Sequence, residues 1–311
     1  MISNNFREFY LLNKEKLVIT GASGFLGRNT LKLASKSWNA IGLIRRNSAR
    51  KEIIEYGATP EVLENFSPSQ LIPIFENAKA VINFLGIVTG SEEEFQKINV
   101  DNFEQLVRSA ERANVEKVIM ISGLGVAEYG KKAWATNNYF KSKLKMEKIL
   151  QNSSVSYVIF RPSYILGPQD ELIPSLIKEL QRGHVNIIGP GSNPMQPIFI
   201  KDVVRIFLNT ASGIGNINTI YDLVGPEIIT MDDFVRKVKI ILEEFLDVPN
   251  LKTTNFTVEE AESILGYPRE VSDIFLCDSL GNPKILEKDL QMDLTSLDET
   301  IRQTIRTELG L

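Results

Sequence analysis

The sequence predicts an α/β fold, a doubly wound parallel sheet with a small, mostly helical C-terminal lobe. Three observations predict it. From Leu17 to about Arg161, short β-rich runs alternate with helical periodicity, the pattern of parallel strands joined by crossover helices. A glycine-rich turn, Thr20-Gly21-Ala22-Ser23-Gly24-Phe25-Leu26-Gly27, connects the first apolar run to the first helical pattern. In the C-terminal third, three helix-start signatures replace the alternation.

Taken in order, the predicted strands are Leu17–Thr20, Ala40–Ile44, Glu61–Leu63, Ala80–Phe84, Lys117–Ile121 and Ser156–Phe160. Phe95, Ile98, Phe103, Leu106, Val107 and Ala110 form a near-helical stripe, and a second helix is expected from about Asn138 to Leu150. A Pro/Gly-rich stretch, Pro162 to Pro197, contains a helical piece around Leu172–Leu180. Ile198–Ile200 and Asp202–Thr210 mark a return to the sheet domain, followed by a strand at Ile220–Leu223. Thr230, Thr257 and Ser296, each followed by an acid three residues on, predict helix starts in the lobe. The expected division is 14–168 with 196–225 for the sheet domain, and 169–195 with 226–311 for the lobe. Met1 to Asn13, with Phe6, Phe9 and Tyr10, reads as an extra segment that packs on the domain or meets a partner.

Composition narrows the function. The 311 residues are 43% hydrophobic and 24% charged, and a net charge of −4 offers no general attraction to nucleic acid or anionic lipid. A single cysteine, Cys277, excludes an intrachain disulfide, and with no secretory signal the expected location is cytoplasmic. No apolar run approaches a membrane span. His184 is the only histidine, so His-rich metal sites are excluded and no metal is expected. Following Gly183 at a helix end, it is expected to face solvent or the helix carbonyls.

Chemistry is legible at three places. Gly21, Gly24 and Gly27, set between a strand and a helix, predict dinucleotide binding. The first permits the tight turn, the second admits the pyrophosphate, and the third allows close helix–strand packing. After the second strand, where an acid would hold the ribose of NAD, the chain reads Arg45-Arg46-Asn47-Ser48 with Arg50 following. Guanidinium groups there suit a 2′-phosphate, so NADP is expected, with NAD as the alternative. Tyr139 and Lys143, four residues apart, share a helix face. An ammonium beside a phenol stabilises the phenolate and eases proton transfer.

Together these motifs resemble the short-chain dehydrogenase/reductase superfamily, in its extended or atypical branch of sugar-nucleotide-epimerase-like proteins. That branch has a Rossmann-type domain and, among its atypical members, an NADPH-binding accessory subunit of respiratory complex I. The resemblance covers almost the whole chain. It implies that Gly21, Ser23, Gly24, Phe25, Leu26 and Gly27 bind the cofactor. It sets Phe84, Leu85 and Gly86 beside the nicotinamide ribose, and Ser122, Pro162 and Ser163 along the nicotinamide. Asn65 takes the position of an adenine-binding acid, and Gln196 to Val204 fits the return to the core. Tyr139 becomes the acid/base and Lys143 the ribose-binding partner. One departure matters: the third position of Ser122-Gly123-Leu124, where the family's catalytic Ser or Thr belongs, is Leu124.

Two functions follow from the resemblance. One is an NADP(H)-binding oxidoreductase or sugar-nucleotide epimerase/dehydratase-like protein using Tyr139 and Lys143. The other is a non-catalytic NAD(P)H-binding accessory subunit or redox sensor with a protein partner. Glu171, His184, Asn186 and Asn193 fall where a small-molecule substrate would bind.

Overall fold

The computed structural model describes residues 14–311, so the expectation for Met1 to Asn13 lies outside the described residues. Strands β1 (Lys16–Thr20), β2 (Asn39–Ile44), β3 (Thr59–Val62), β4 (Ala78–Asn83), β5 (Lys117–Ile121) and β6 (Ser156–Pro162) form the sheet with a later strand, β11 (Thr219–Leu223). The order is β11-β6-β5-β4-β1-β2-β3, parallel throughout. Connections run one way from β1 through β2 and β3, then cross to β4. The crevice at the carboxyl ends of β1 and β4 is thus the switch point where such sheets bind ligands. Thr20 Oγ1 donates to Asn83 Oδ1 across it at 2.7 Å.

Helices cover both faces, which is why the strands read as continuous apolar runs rather than alternating ones. Helix α1 (Phe25–Ala34) packs on one face, burying Leu31 and Ala34 against Leu17 and Ile19. A short α2 (Arg50–Glu55) follows β2. On the opposite face lie α3 (Pro68–Phe75), α4 (Asn102–Arg112) and α5 (Asn138–Gln151), contributing Phe75, Leu106 and Met146 to one core with Val18 and Val118. Helix α5 starts at Asn138, as expected, where the N-cap Asn137 Oδ1 accepts the Phe140 N–H at 3.0 Å.

The lobe has its own core. Helix α6 (Leu172–Gln181) leads into β8 (His184–Ile188), and the chain returns to the sheet through α7 (Ile200–Ser212). Beyond β11 come α8 (Met231–Leu242), β13 (Lys252–Phe256), α9 (Val258–Ser263), α10 (Arg269–Phe275), α11 (Pro283–Leu290) and α12 (Leu297–Glu308). Ile173, Leu176, Val185, Phe234, Val238 and Ile301 pack together from α6, β8, α8 and α12. Thr230, Thr257 and Ser296 each cap a helix with a side-chain oxygen, as their sequence contexts predict. Other strands were not anticipated by the sequence analysis: β8 pairs in parallel with β13, and two-residue ladders join β10 (Ile198–Phe199) to β7 (Ile165–Leu166) and β12 (Ile229–Thr230) to β9 (Pro194–Met195). Among the described residues, no helix is long and apolar enough to cross a membrane.

Candidate functional site

The three fingerprint glycines have different reasons to be glycine. Gly21 has φ +64°, and a Cβ there would stand 2.8 Å from the Phe84 carbonyl carbon. A Cβ on Gly27 would lie 2.2 Å from Gly21 O. The fold itself demands both. Gly24 is exposed, has ordinary φ, and its Cβ would meet only Gly21 O at 3.3 Å. The missing side chain therefore clears space outside the fold, above the α1 N-terminus. That helix has no side-chain cap and no acid in its first turn, leaving N–H groups and a positive dipole end for an anion. Phe25 and Leu26 are partly buried against the cluster of Phe199 and Val204, and neither lines the adjoining cleft.

From the turn, a cleft of 610 Å³ extends over the sheet edge, lined among others by Gly21, Ser23, Arg45, Asn65, Leu85 and Gly86. The size and the row of strand ends suit an adenine dinucleotide. Arg45 lines the cleft and Arg46 is exposed beside it. Asn65 lines the cleft while its Oδ1 accepts the Ser67 N–H at 3.1 Å, which leaves its amide N–H groups for a ligand. Phe84, expected beside the cofactor, does not line the cleft, because its ring packs into the core on Phe207 at 4.8 Å. The residues present fit a dinucleotide.

Tyr139 and Lys143 come together on α5. Lys143 Nζ lies 5.9 Å from the Tyr139 ring centroid and donates to Ile121 O at 3.1 Å. A Cβ on Gly86 would sit 3.6 Å from that ammonium, so Lys143 reaches the turn after β4. Burial lowers the Lys143 pKa to about 8, with Glu147 opposing. The Tyr139 hydroxyl stands 3.5 Å from where a Gly123 Cβ would be. Burial, and then Cys277, raises its pKa to about 12, the opposite of the lowering expected from Lys143, because the loss of hydration outweighs the nearby ammonium. Among the described residues, no side chain hydrogen-bonds this hydroxyl.

The hydroxyl faces a pocket of 110 Å³ whose walls include Leu124, Phe140, Ser163, Tyr164, Ile274 and Cys277. Pro162, at the end of β6, also lines it. Leu124 is buried here, an apolar group at the position the family gives to a hydroxyl. Ser122 points elsewhere. Its Oγ donates to Glu147 Oε1, and Arg161 grips both Glu147 oxygens at 3.0 and 2.6 Å. Of the residues named for a substrate, Glu171 and Asn186 line a separate lobe cavity. His184 is exposed near Thr254, and Asn193 donates to Leu276 O at 3.0 Å.

Sequence analysis missed Asn99. Fully buried, it accepts the Ile87 N–H at 2.8 Å and donates to Ile87 O at 3.1 Å and Ser142 Oγ at 2.9 Å. Ser142 in turn donates to Tyr139 O at 2.7 Å. Asn99 thus couples the turn after β4 to the helix turn bearing Tyr139. It lies in a π-helical stretch, Phe95–Asp101. Such a stretch marks functional positions more often than ordinary helix does. An asparagine interrupting the apolar stripe between Ile98 and Val100 was the available signal.

Fold and site together define a Rossmann-type α/β protein with an extended lobe over a Tyr/Lys pair. The chain belongs to the NAD dependent epimerase/dehydratase family, whose model matches residues 17–219. It is 22% identical over 288 residues to the mitochondrial NADH dehydrogenase (ubiquinone) 1 alpha subcomplex subunit 9 of Arabidopsis thaliana, covering 89% of this chain and 69% of that one. It is likewise 22% identical over 242 residues to an N-acetyl-alpha-D-glucosaminyl-diphospho-ditrans,octacis-undecaprenol 4-epimerase of Escherichia coli O157:H7, covering 72% of each. Among solved structures, the UDP-N-acetylglucosamine 4-epimerase of Methanobrevibacter ruminantium M1 superposes with a TM-score of 0.76 at 17% identity, covering 96% of this chain and 99% of that one.

Proposed function

We propose that this protein is an NADP(H)-dependent oxidoreductase that reduces a carbonyl group, with Tyr139 as proton donor and Lys143 as the ribose-binding residue beside it. The observation that carries this reading is the Tyr139 hydroxyl, which among the described residues makes no hydrogen bond and lies at a pocket with the Lys143 ammonium close to its ring. Residues Gly24 to Gly27 would hold the pyrophosphate, and Arg45 with Arg46 the 2′-phosphate. A dinucleotide held there would supply the hydride, becoming oxidised in return. Tyr139 would give its proton to the carbonyl oxygen as the carbon accepts that hydride, with Lys143 close beside it. Solvent restores the phenol proton. A phenol whose pKa is raised to about 12 is protonated at neutral pH, which suits a donor in the reductive direction.

NADPH consumption with a panel of ketones and aldehydes tests the reading. Tyr139→Phe should lose about 100- to 10,000-fold in turnover while keeping NADPH affinity. Turnover that survives the substitution intact overturns the assignment of Tyr139.

A second reading, a non-catalytic NADPH-binding subunit with a protein partner, is favoured by Leu124 and by the commitment of Ser122 to Glu147. The similarity to a complex I subunit supports it. It predicts thermal stabilisation by NADPH with no turnover across the same panel.

A further inference from the structure

The lobe contains a second cavity, of 330 Å³, whose walls are mainly Leu172, Leu176, Ile187, Met231, Val235 and Phe275. Its polar lining includes Glu171 and Glu179, and among the described residues no Lys or Arg lines it. Glu179 already accepts the Asn186 N–H at 2.9 Å. Two carboxylates without a cation repel a diphosphate, whereas the apolar walls reward an alkyl group.

This cavity adjoins the pocket under Tyr139. Tyr164 lines both, with its hydroxyl donating to Ile274 O at 3.2 Å and its ring 6.1 Å from that of Phe275. Along α10, Ile274 lines the Tyr139 pocket and Phe275 lines the cavity. Tyr164 thus stands where the two spaces meet. At about 30 Å³ per water-sized group, the pocket holds roughly four such groups and the cavity roughly ten. The first is enough for a carbonyl and its immediate neighbours, the second for a medium-length chain.

We propose that the substrate is an uncharged ketone or aldehyde with an alkyl tail, its carbonyl beneath Tyr139 and its tail past Tyr164 in the lobe cavity, and that nucleoside diphosphate sugars are excluded. The proposal rests on the carbonyl-reductase reading. It departs from the sugar nucleotides that the resemblance implies.

The test is calorimetric titration of the NADPH-loaded protein with butan-2-ol, hexan-2-ol, octan-2-ol and decan-2-ol. The reduced cofactor cannot oxidise these alcohols, so binding is read without chemistry. Affinity should rise roughly two- to fourfold per methylene, and UDP-N-acetylglucosamine should not bind. Ser175 lines the cavity without belonging to the lobe core. Ser175→Trp should flatten the series beyond hexan-2-ol and leave NADPH affinity unchanged. If that variant melts early, Ser175→Leu should flatten the series less. A flat wild-type series, saturable binding of UDP-N-acetylglucosamine, or indifference of the series to a folded Ser175 variant each overturns the proposal. A rising series with no turnover of the matching ketones upholds the cavity and removes the reductase reading. A flat series with turnover of short ketones does the reverse.

Discussion

The Ser122 hydroxyl lies 2.5 Å from the Glu147 carboxylate, with both side chains buried beneath the end of β5. A serine at the mouth of the site is therefore a structural ligand of an ion pair rather than a group that could meet a substrate. Arg161 completes the arrangement bidentately, which makes the cluster satisfied as well as buried.

Removing the carboxylate should leave a buried guanidinium and a hydroxyl without their partner. Glu147→Ala is expected to cost about 3–5 kcal/mol, read by urea denaturation. A loss below about 1 kcal/mol would mean that Arg161 reaches water and that the pair behaves as a surface one.

Gly24 and Gly27 should separate binding from folding. Gly24→Val, whose side chain enters the space above α1, should fold normally and lose detectable NADPH binding in calorimetry. Gly27→Ala should instead destabilise the fold by about 1–3 kcal/mol through overpacking, because its Cβ would stand 2.2 Å from Gly21 O. Unchanged NADPH affinity in folded Gly24→Val would remove the phosphate site from this turn.

Arg45 and Arg46 should select between cofactors. Each charge-assisted contact to the 2′-phosphate contributes about 1.5–3 kcal/mol, so NADPH should bind at least about tenfold more tightly than NADH. Arg45→Ala with Arg46→Ala should abolish most of that difference while sparing NADH. Equal affinities in the wild type would show both arginines facing only solvent.

Lys143 should leave a signature in stability against pH. Its folded pKa is lowered to about 8 from an ordinary 10.5. Between those values the unfolded chain binds more protons than the folded one, so stability from this group rises with pH across that window. Tyr139, raised to about 12 from 10.0, works the other way above pH 10. Lys143→Met should flatten the rise between about pH 8 and 10.5 in denaturation of the cofactor-free protein. A wild-type profile already flat there would mean a hydrated ammonium.

What could be read from the sequence depended on local signals. Leu17-Val18-Ile19 and Val118-Ile119-Met120 are unbroken apolar runs because helices bury both faces, and their strands were placed within a residue or two. Tyr139 and Lys143 were legible because one helix carries both. The partner strand of β8 was not, since Lys252–Phe256 reads Lys-Thr-Thr-Asn-Phe and is mostly exposed, with no alternation to betray it. Nor was the wall opposite Tyr139. Ile274 and Cys277 reach it from more than 130 positions further along the chain, and no spacing rule links such distant residues. Asn99 was hidden by a π-helical register that periodicity arguments based on 3.6 residues do not describe.

That distance has a consequence for how the protein comes into being. The last residue lining the nucleotide cleft is Asn102, whereas the pocket under Tyr139 is incomplete until Ser279 has been made. At about 5–20 residues per second, the ribosome separates the two by roughly ten to thirty-five seconds. During that interval the nascent chain has every residue of its nucleotide cleft but lacks the α10 segment that covers Tyr139. Leu124 and Phe140 are made within that interval, and from then until Ile274 to Ser279 follow, their apolar faces wait for cover, a surface that a chaperone could hold.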